Sequence, residues 1–354
     1  HLGIELIINP YEVAAEHLAH LAMYPQVTDF NLFLGDQVAL VRIPIAEGSP
    51  LQDQTVMSFG QNAHIPQTLI AIIQRAGVSN MPSRDTVIRA GDEVYFFCEL
   101  HRLKGLFRFL RLPERPARRV FINGGGHVGY ALARRLERER VDVRILELSE
   151  ERCHWLSQQL DHTLVLHANG CEAAALKAEG IEHADYFISV TDTDQVNIVS
   201  CTLARQHGAA HTLALVKQPE FIPIIAQRRV IDVTFSPRLL TARKILRFVR
   251  GENLDSFFAF LNSDIELLEL KVRSGMRCCE RRLADLELPA GTLVGAVKRG
   301  KELFVPRGDD TLRVGDTILL LQQRRNRQAT TAFFLESPQP EPRPLADLPT
   351  RASA

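Results

Sequence analysis

The chain has 354 residues, 45% of them hydrophobic and 24% charged, which is ordinary for a globular protein of two or three domains. Its 42 basic and 42 acidic residues cancel, so no overall field attracts it to nucleic acid, and we expect no nucleic-acid partner. No apolar run approaches the roughly 20 residues that a membrane-spanning helix needs.

The chain start and the cysteines favour a cytosolic protein. The sequence opens at His1 without the charged and apolar regions of a signal peptide. Its six cysteines form no C-x-x-C pair, as expected of reduced, mostly structural thiols.

Two kinds of segment follow one another along the chain. Residues 31–98 predict a small, mostly antiparallel α+β module. Residues 118–235 alternate apolar runs with helical patterns, which predicts βαβ units and a parallel sheet. We therefore expect an α/β fold in which a doubly wound, Rossmann-like domain is flanked by small α+β modules. The strands predicted for the parallel sheet are residues 119–124, 141–148, 162–168, 186–191, 211–216 and 232–236.

The residues after 255 predict a second small module, which repeats the first. Aligned without gaps at an offset of 224, residues 69–97 overlay residues 293–321. Such self-similarity indicates an internal repeat with a long period. The predicted strands of this module are residues 265–272, 292–299, 302–306 and 316–321. The first-copy residues that meet an identical residue are Leu69, Arg75, Pro82, Asp85, Arg89, Gly91 and Asp92.

A shorter overlay upstream extends the repeat. Residues 3–10 overlay residues 230–237 at an offset of 227, so that Pro10 meets Pro237. The first copy then begins at the last strand of its own doubly wound domain. We expect a fragment of a chain with two complete copies; a natural half-copy is the alternative. The expected segments are 1–30 (remnant of the first doubly wound domain and its crossover helix), 31–112 (first module), 117–252 (complete doubly wound domain), 253–335 (second module) and 336–354 (a proline-rich, disordered tail).

A glycine motif follows the first strand of the complete doubly wound domain. Gly124, Gly126 and Gly129 have the spacing G-x-G-x-x-G between that strand and a predicted helix. In this motif the first glycine permits a tight turn, the second lets the backbone approach a pyrophosphate, and the third allows close helix–strand packing. The free N–H groups of residues 126–129 and the helix dipole favour phosphate. The pattern predicts a dinucleotide site.

An acidic residue stands at the end of the next strand. Glu147 lies 21 residues after Gly126, where a carboxylate can accept both ribose hydroxyls and repel a 2′-phosphate, which favours NAD over NADP. Arg152 lies near the start of the following helix. It could reach a phosphate, stack on adenine, or be a solvated helix residue.

Further candidates follow the other strands, because strand carboxyl ends line the crevice of such sheets. Asn169 follows the third strand, and Thr191 and Asp192 follow the fourth. Asn197, in the next helix, is either a packing or capping residue or a ligand contact. The candidate cofactor-binding residues are Gly124, Gly125, Gly126, His127, Val128, Gly129, Glu147, Arg152, Asn169, Thr191 and Asp192.

The catalytic groups of a hydride-transfer enzyme are missing from the sequence pattern. Such an enzyme needs a substrate domain and an acid/base group near the nicotinamide. None of the 12 histidines pairs with a carboxylate at a recognisable spacing, and no G-x-S-x-G, H-E-x-x-H or P-loop motif occurs. We expect no enzyme, no catalytic residue and no metal site. The alternatives are an NAD-dependent oxidoreductase and an assembly subunit with an empty nucleotide site.

A series of segments in order resembles one family over residues 2–335. The chain is similar to the TrkA family of RCK (regulator of conductance of potassium) proteins, which have duplicated N- and C-lobes. The segments that carry the resemblance are VFINGGGHVGYALARRLE, RILELSEER, VTDTDQVNIVSCTLARQHGA, VIDVTFSP, LPAGTLVGAVKRG and LRVGDTILLL.

The resemblance implies a cytoplasmic regulatory subunit at the inner face of the membrane. Members of the family assemble into a ring under a Trk-type potassium channel or transporter. They bind NAD(H), and ATP or ADP at the same site, to control the gate. Among the candidate residues, those that match ligand-contacting positions of the family are Gly124, Gly126, Gly129, Glu147 and Arg152.

The sequence departs from the family after the third strand. The family often has Gly-Asp-Ala there, and this chain has Ala168-Asn169-Gly170. Loss of that carboxylate implies different adenine-side contacts and a different preference between NAD and ATP from those of the family.

The helix predicted at 238–250 has an apolar stripe that includes Leu239, Ile245 and Leu246. It is either a crossover helix packed on its own domain or, as the family suggests, a helix that pairs two subunits. We expect a homodimer of this chain and a closed ring of the full-length protein.

Overall fold

The computed structural model describes residues 7–62, 68–218, 220–228, 230–249, 256–259 and 264–335. Of the strand expected at residues 3–10, residues 3–6 fall outside this part, and residues 7–9 form no described strand before the helix that begins at Pro10. The tail 336–354 falls wholly outside it. Among the described helices, none combines the length and the apolar character that crossing a membrane requires.

A helix and a small antiparallel sheet form the first part of the chain. The helix α1 begins at Pro10 behind Asn9, whose side-chain oxygen accepts the N–H groups of Tyr11 and Glu12. The strand order is β1-β2-β5-β3-β4, and every neighbouring pair is antiparallel. The elements are α1 (Pro10–Met23), β1 (Asp29–Phe33), β2 (Val38–Pro44), α2 (Val56–Gln61), β3 (Thr68–Arg75), β4 (Val78–Asn80), β5 (Glu93–Glu99) and α3 (Leu103–Phe109).

The middle of the chain is the predicted doubly wound domain, and its Rossmann-like fold is confirmed. Six parallel strands lie in the order β11-β10-β9-β6-β7-β8. The order reverses between β6 and β9, which opens a crevice at their carboxyl ends. The elements are β6 (Arg119–Asn123), α4 (His127–Arg138), β7 (Asp142–Glu147), α5 (Glu150–Gln159), β8 (Leu164–His167), α6 (Ala173–Ala178), β9 (Tyr186–Ser189), α7 (Asp194–Gln206), β10 (His211–Leu215), α8 (Phe221–Arg228), β11 (Val233–Phe235) and α9 (Pro237–Val249).

The last part repeats the first sheet. Its strand order β12-β13-β18-β15-β16 corresponds to that of the first module, and a β-bulge falls at equivalent places, between Ile70 and Ile72 and between Val294 and Ala296. The elements are β12 (Ser256–Ala259), β13 (Ile265–Lys271), β14 (Arg281–Arg282), β15 (Thr292–Arg299), β16 (Glu302–Phe304), β17 (Thr311–Leu312), β18 (Thr317–Gln323) and α10 (Arg327–Leu335), with β14 and β17 paired separately.

One arginine–aspartate pair recurs in both modules with the same geometry. Arg75 Nε and Nη2 donate to the two carboxylate oxygens of Asp92, at 2.7 Å each. Arg299 makes the equivalent bonds to Asp316 at 2.9 and 2.7 Å. The side chain of each aspartate is 1% exposed. Asp92 also accepts the backbone N–H of Arg89, and Asp316 accepts that of Arg313, the equivalent residue of the second module. The shared residues of the repeat therefore fix the turn before β5 and β18.

The two modules pack face to face through one apolar cluster. The approach is close at Gly295, where an ideal Cβ would lie 2.7 Å from the ring of Phe97. A buried hydrogen bond also joins the two modules. The carboxylate of Glu269 in β13 accepts the N–H of Leu34, a turn residue of the first module with φ of +55°. The cluster consists of Phe33, Leu34, Val38, Leu40, Ala71, Ile72, Tyr95 and Phe97 with Ile265, Leu267, Ala296, Leu319 and Leu321.

Helix α1 joins the first module to the doubly wound domain. Its buried side chains enter the same core as those of α4 and the parallel sheet. At its C-terminal end, the Tyr186 hydroxyl of β9 donates to the carbonyl of Leu21 at 3.1 Å. At its N-terminal end, Glu12 forms ion pairs with Arg134 and Arg135 of α4 at 2.9 and 2.8 Å.

Helix α9, predicted to pair two chains, packs against α1 of the same chain. Leu240 lies against the shared core, and Lys244 pairs with Glu16 of α1 at 3.3 Å. Ile245 is 42% exposed, while the side chain of Leu246 lies outside the described residues. Part of the helix thus packs within the chain while Ile245 is exposed, and the pairing of two chains stays a prediction.

The repeated ion pair predicts a matched loss of stability. Asp92→Asn and Asp316→Asn should each lower the free energy of unfolding by roughly 1–3 kcal/mol, because the amide NH₂ of a buried asparagine would oppose one of the donors that the carboxylate accepts. Asp285→Asn, which breaks the exposed pair with Arg282, should change it far less. Urea denaturation compares the three variants, and equal losses at all three positions would contradict the role given to burial.

The same pair predicts acid sensitivity. Burial, the largest single influence, works to raise the pKa of Asp92, but the hydrogen bonds from Arg75 and from the N–H of Arg89, with the positive charges of both arginines, together outweigh it and hold the pKa below the ordinary value of 3.8. The folded state therefore binds this proton less readily than the unfolded chain. The contribution of Asp92 to stability should be constant above about pH 5, begin to fall as the pH approaches the ordinary value of 3.8, and disappear as the pH falls through the lowered pKa. Denaturation curves of the wild type and Asp92→Asn should accordingly converge below about pH 4.

Candidate nucleotide-binding site

The glycine loop crosses the carboxyl end of β6 at the reversal point of the sheet. Gly124 has φ of +106°, a conformation that favours glycine, and donates its N–H to the carbonyl of Leu146 at 2.9 Å. An ideal Cβ at Gly124 would lie 3.1 Å from the backbone N of Thr191. The loop after β9 therefore presses against the first glycine, which brings Thr191 to the site.

The second and third glycines of the motif face opposite ways. At Gly129 an ideal Cβ would lie 2.0 Å from the carbonyl oxygen of Gly124, so only glycine allows α4 to pack this closely against the loop. At Gly126 an ideal Cβ would meet nothing within 4 Å. Gly126 is the exposed N-cap of α4, and its open side lies where the helix presents free N–H groups. The N-terminus of α4 is therefore open to solvent at Gly126, and phosphate binding there stays a prediction.

Glu147 is held against this loop by two backbone amides. Its Oε2 accepts the N–H of Gly125 at 2.7 Å, and its Oε1 accepts the N–H of Ser149 at 2.9 Å. A carboxylate has about four lone-pair sites, so both oxygens retain capacity for hydroxyl donors. The acid is oriented before any ligand arrives.

Arg152 also contacts the loop, and its role as a ligand contact stays a prediction. Its Nε donates to the carbonyl of Gly125 at 2.8 Å. Its guanidinium lies 4.0 Å from the centroid of the Trp155 ring, which in turn meets Tyr130 edge-on at 4.9 Å. This aromatic support fixes a positive charge beside the glycine loop.

The first residues of α4 contribute differently. Val128 is 6% exposed and packs in the core, so it offers its backbone N–H and no side chain to the site. His127 is exposed, and its ring stacks on that of Tyr11 of α1 with centroids 4.8 Å apart. No feature of the sequence indicated that α1 reaches the glycine loop.

A buried polar network below the loop was also not predicted. Asn123, at the end of β6, donates to the hydroxyls of Ser189 and Ser200 at 2.9 and 3.1 Å. Asn197 accepts the N–H and hydroxyl of Thr191 at 2.9 and 2.7 Å. It also donates to the carbonyl of Leu215 at 2.9 Å. Asn197 is fully buried. Of the two alternatives, a packing or capping residue and a ligand contact, its position therefore favours packing. The sequence feature that could have predicted this network is the presence of polar residues at the ends of apolar strands.

The departure from the family after β8 has a steric reason. An ideal Cβ at Gly170 would lie 2.3 Å from the side-chain oxygen of Asn123, so this position has no room for the family's alanine. Asn169, in the place of the family's aspartate, accepts the N–H of Cys171 at 2.9 Å and closes its own turn.

The remaining candidate, Asp192, lies at the surface. Its side chain is fully exposed and pairs with Lys217 at 3.0 Å. The structure thus gathers the glycines, Glu147, Arg152 and Thr191 around one loop, while Asn169 and Asp192 bond to neighbours outside it.

Comparison with known sequences gives the family. The profile of the TrkA-N domain matches residues 120–237, and that of the TrkA-C domain matches residues 40–111 and 267–335. The Trk system potassium uptake protein TrkA of Halomonas elongata is 33% identical over 335 residues, which cover 93% of this chain and 73% of that protein. The chain belongs to the TrkA family. Its relative of the same name in Vibrio alginolyticus is 28% identical, with 95% and 74% covered.

Solved structures of RCK proteins share the fold of this TrkA-family chain. The GsuK RCK domain superposes with a TM-score of 0.51 at 17% identity, covering 93% of this chain and 71% of that one. The GsuK channel bound to NAD gives a TM-score of 0.51 at 16% identity, with 94% and 59% covered.

The two glycines predict opposite responses to a methyl group. Gly129→Ala should lower the free energy of unfolding by roughly 3 kcal/mol, the upper end of the overpacking range, because the loop must move. Gly126→Ala should cost less than about 1 kcal/mol, since only a poorer N-cap results at a φ of −64° that alanine adopts. Thermal and urea unfolding measure both. A large loss at Gly126 would show that its open side is needed for folding.

Proposed function

We propose that the chain is a nucleotide-binding regulatory subunit of a Trk-type potassium uptake system. The observation that carries this proposal is the glycine loop, with its open side at Gly126 and the oriented carboxylate of Glu147, in a chain of the TrkA family. The relatives are named for potassium uptake, and the NAD-bound channel shares the fold. In this proposal residues 117–252 form the N-lobe that binds nucleotide, and residues 31–112 and 253–335 form C-lobes.

The residues fit a dinucleotide in a definite orientation. The N–H groups of residues 126–129 would hold the pyrophosphate at the positive end of α4. Glu147 would accept the ribose hydroxyls, and Arg152 would add a positive charge at the loop. Thr191 would close the opposite side. We therefore propose NAD(H) as the ligand, with ATP or ADP as alternatives at the same loop.

The proposed role of the nucleotide is regulatory. A ligand shifts a conformational equilibrium only if it binds two states with different affinities. A tenfold preference supplies about 1.4 kcal/mol per site, and equivalent sites in a homo-oligomeric ring add. The proposed partner is the membrane subunit of a Trk-type potassium channel or transporter. The chain would act from the cytoplasmic side, without chemical turnover of the nucleotide.

The carboxylate predicts discrimination at the ribose. NADH should bind more tightly than NADPH, because Glu147 repels a 2′-phosphate. Glu147→Gln should weaken NADH binding by roughly 1–3 kcal/mol, because a charged acceptor is lost and the amide NH₂ opposes the N–H of Gly125 or Ser149. Glu151→Gln removes an exposed charge from α5, the helix that follows Glu147, and should leave affinity unchanged. Isothermal titration calorimetry measures the NADH affinity of the wild type and of both variants, and the NADPH affinity of the wild type. Equal affinity of the wild type for NADH and NADPH would refute the role given to Glu147.

The loop predicts loss of binding without loss of fold. Gly126→Ala places a methyl group where the pyrophosphate should approach, and NADH affinity should fall by at least about tenfold, or 1.4 kcal/mol. The unfolding curve of the same variant shows that the domain is intact. Unchanged affinity in a folded Gly126→Ala protein would place the nucleotide, if it binds, elsewhere on the molecule.

A further inference from the structure

Tyr11 stands beside the glycine loop although it comes from the other half of the repeat. Its ring stacks on that of His127 with centroids 4.8 Å apart and an interplanar angle of 25°. His127 is the first residue of α4, directly after the open glycine Gly126. Tyr11 is 45% exposed, so burial in a core does not explain its position.

The repeat itself does not require an aromatic residue here. At the offset of 227, Tyr11 corresponds to Arg238, the second residue of α9. The helix start is already provided by Asn9, whose side chain accepts the N–H of Tyr11 at 3.0 Å, and by Pro10. The ring of Tyr11 therefore serves the contact with His127 and is not needed to begin α1.

A second contact ties α1 to the same helix. Glu12 reaches Arg134 at 2.9 Å and Arg135 at 2.8 Å, so its two carboxylate oxygens hold two neighbouring residues of α4. All three side chains are about one-third to two-fifths exposed. The N-terminal turn of α1 is thus joined to α4 both at the glycine loop and further along the helix.

We propose that Tyr11 is a positioning residue of the nucleotide site, which acts through His127 and couples nucleotide binding to α1. This inference rests on the proposed function and names the contact by which the occupied site is sensed outside its own domain. A phosphate at the N-terminus of α4 restrains the first residues of that helix. The Tyr11 stack holds His127 in advance, which lowers the ordering cost of binding.

Linkage makes the effect reciprocal. If the stack raises nucleotide affinity, the nucleotide must stabilise the contact between α1 and α4 by the same factor. Helix α1 leads directly into β1 and shares a core with the first module. The first module therefore receives the signal through α1.

Calorimetry with NADH tests the positioning role. Tyr11→Ala should weaken binding roughly three- to tenfold, the worth of one aromatic stack. Tyr11→Phe should restore it, because the ring makes the contact. Lys244→Ala, which removes the ion pair between α1 and α9, should leave affinity unchanged and controls for a general loosening of α1. Equal affinity of Tyr11→Ala and the wild type would overturn the proposal.

A double-mutant cycle tests the path through His127. In the His127→Ala background, Tyr11→Ala should have no further effect on NADH affinity. A full additional loss would show that Tyr11 acts through the fold and would overturn the assigned path. If the unmodified chain binds no NADH, both the proposed function and this inference fail. If the chain binds NADH and Tyr11→Ala has the same affinity as the wild type, only this inference fails.

Hydrogen exchange tests the coupling. NADH should slow amide exchange in α1 as well as in α4 of the unmodified chain. In Tyr11→Ala at saturating NADH, protection of α4 should persist while that of α1 is lost. Equal protection of α1 in both proteins would overturn the coupling.

Discussion

The approach of α4 to the glycine loop is the constraint on which the rest of the site depends. With an ideal Cβ at Gly129 only 2.0 Å from the Gly124 carbonyl, any other residue would force the helix away from β6. The close approach sets the N-terminus of α4 at the reversal point of the sheet, where Gly126 faces open space. Gly129 thus allows the close packing of α4, and this packing leaves Gly126 open for the proposed ligand.

The groups that shape the loop are also those suited to hold a ligand. Glu147 and Arg152 bind the N–H and the carbonyl of the same residue, Gly125, at 2.7 and 2.8 Å. Their opposite charges are held in place by the loop itself. A nucleotide would meet oriented groups, and less of its binding energy would be spent on ordering them. Because Glu147 also holds the loop, a change at this residue would alter the loop as well as the proposed ribose contact.

The repeat gives the molecule both an intramolecular pair of modules and a link to the site. The shared residues, such as Arg75 and Asp92, build the same turn twice. The unshared ones make contacts that only one copy needs. Glu269 binds the turn at Leu34, and Tyr11 reaches the glycine loop. The common residues therefore maintain each module, while residues outside the shared set make the contacts between the halves.

Local pattern alone determined the fold class, the six parallel strands, the repeated modules and the positions of Gly124, Gly126, Gly129 and Glu147. The elements depend on periodicity, and the glycines and the acid are recognised by their fixed spacing after a strand, so these features are visible in a short window of sequence. The repeated modules are visible when one segment is overlaid on the other without gaps. Only the tertiary structure decided that Asn197 is a buried structural hub, that Asn123 excludes a side chain at position 170, and that α1 reaches His127. Those contacts join residues from 47 to 116 positions apart, or depend on the satisfaction of several buried polar atoms at once. No local pattern encodes such pairings, because they arise when separate elements pack.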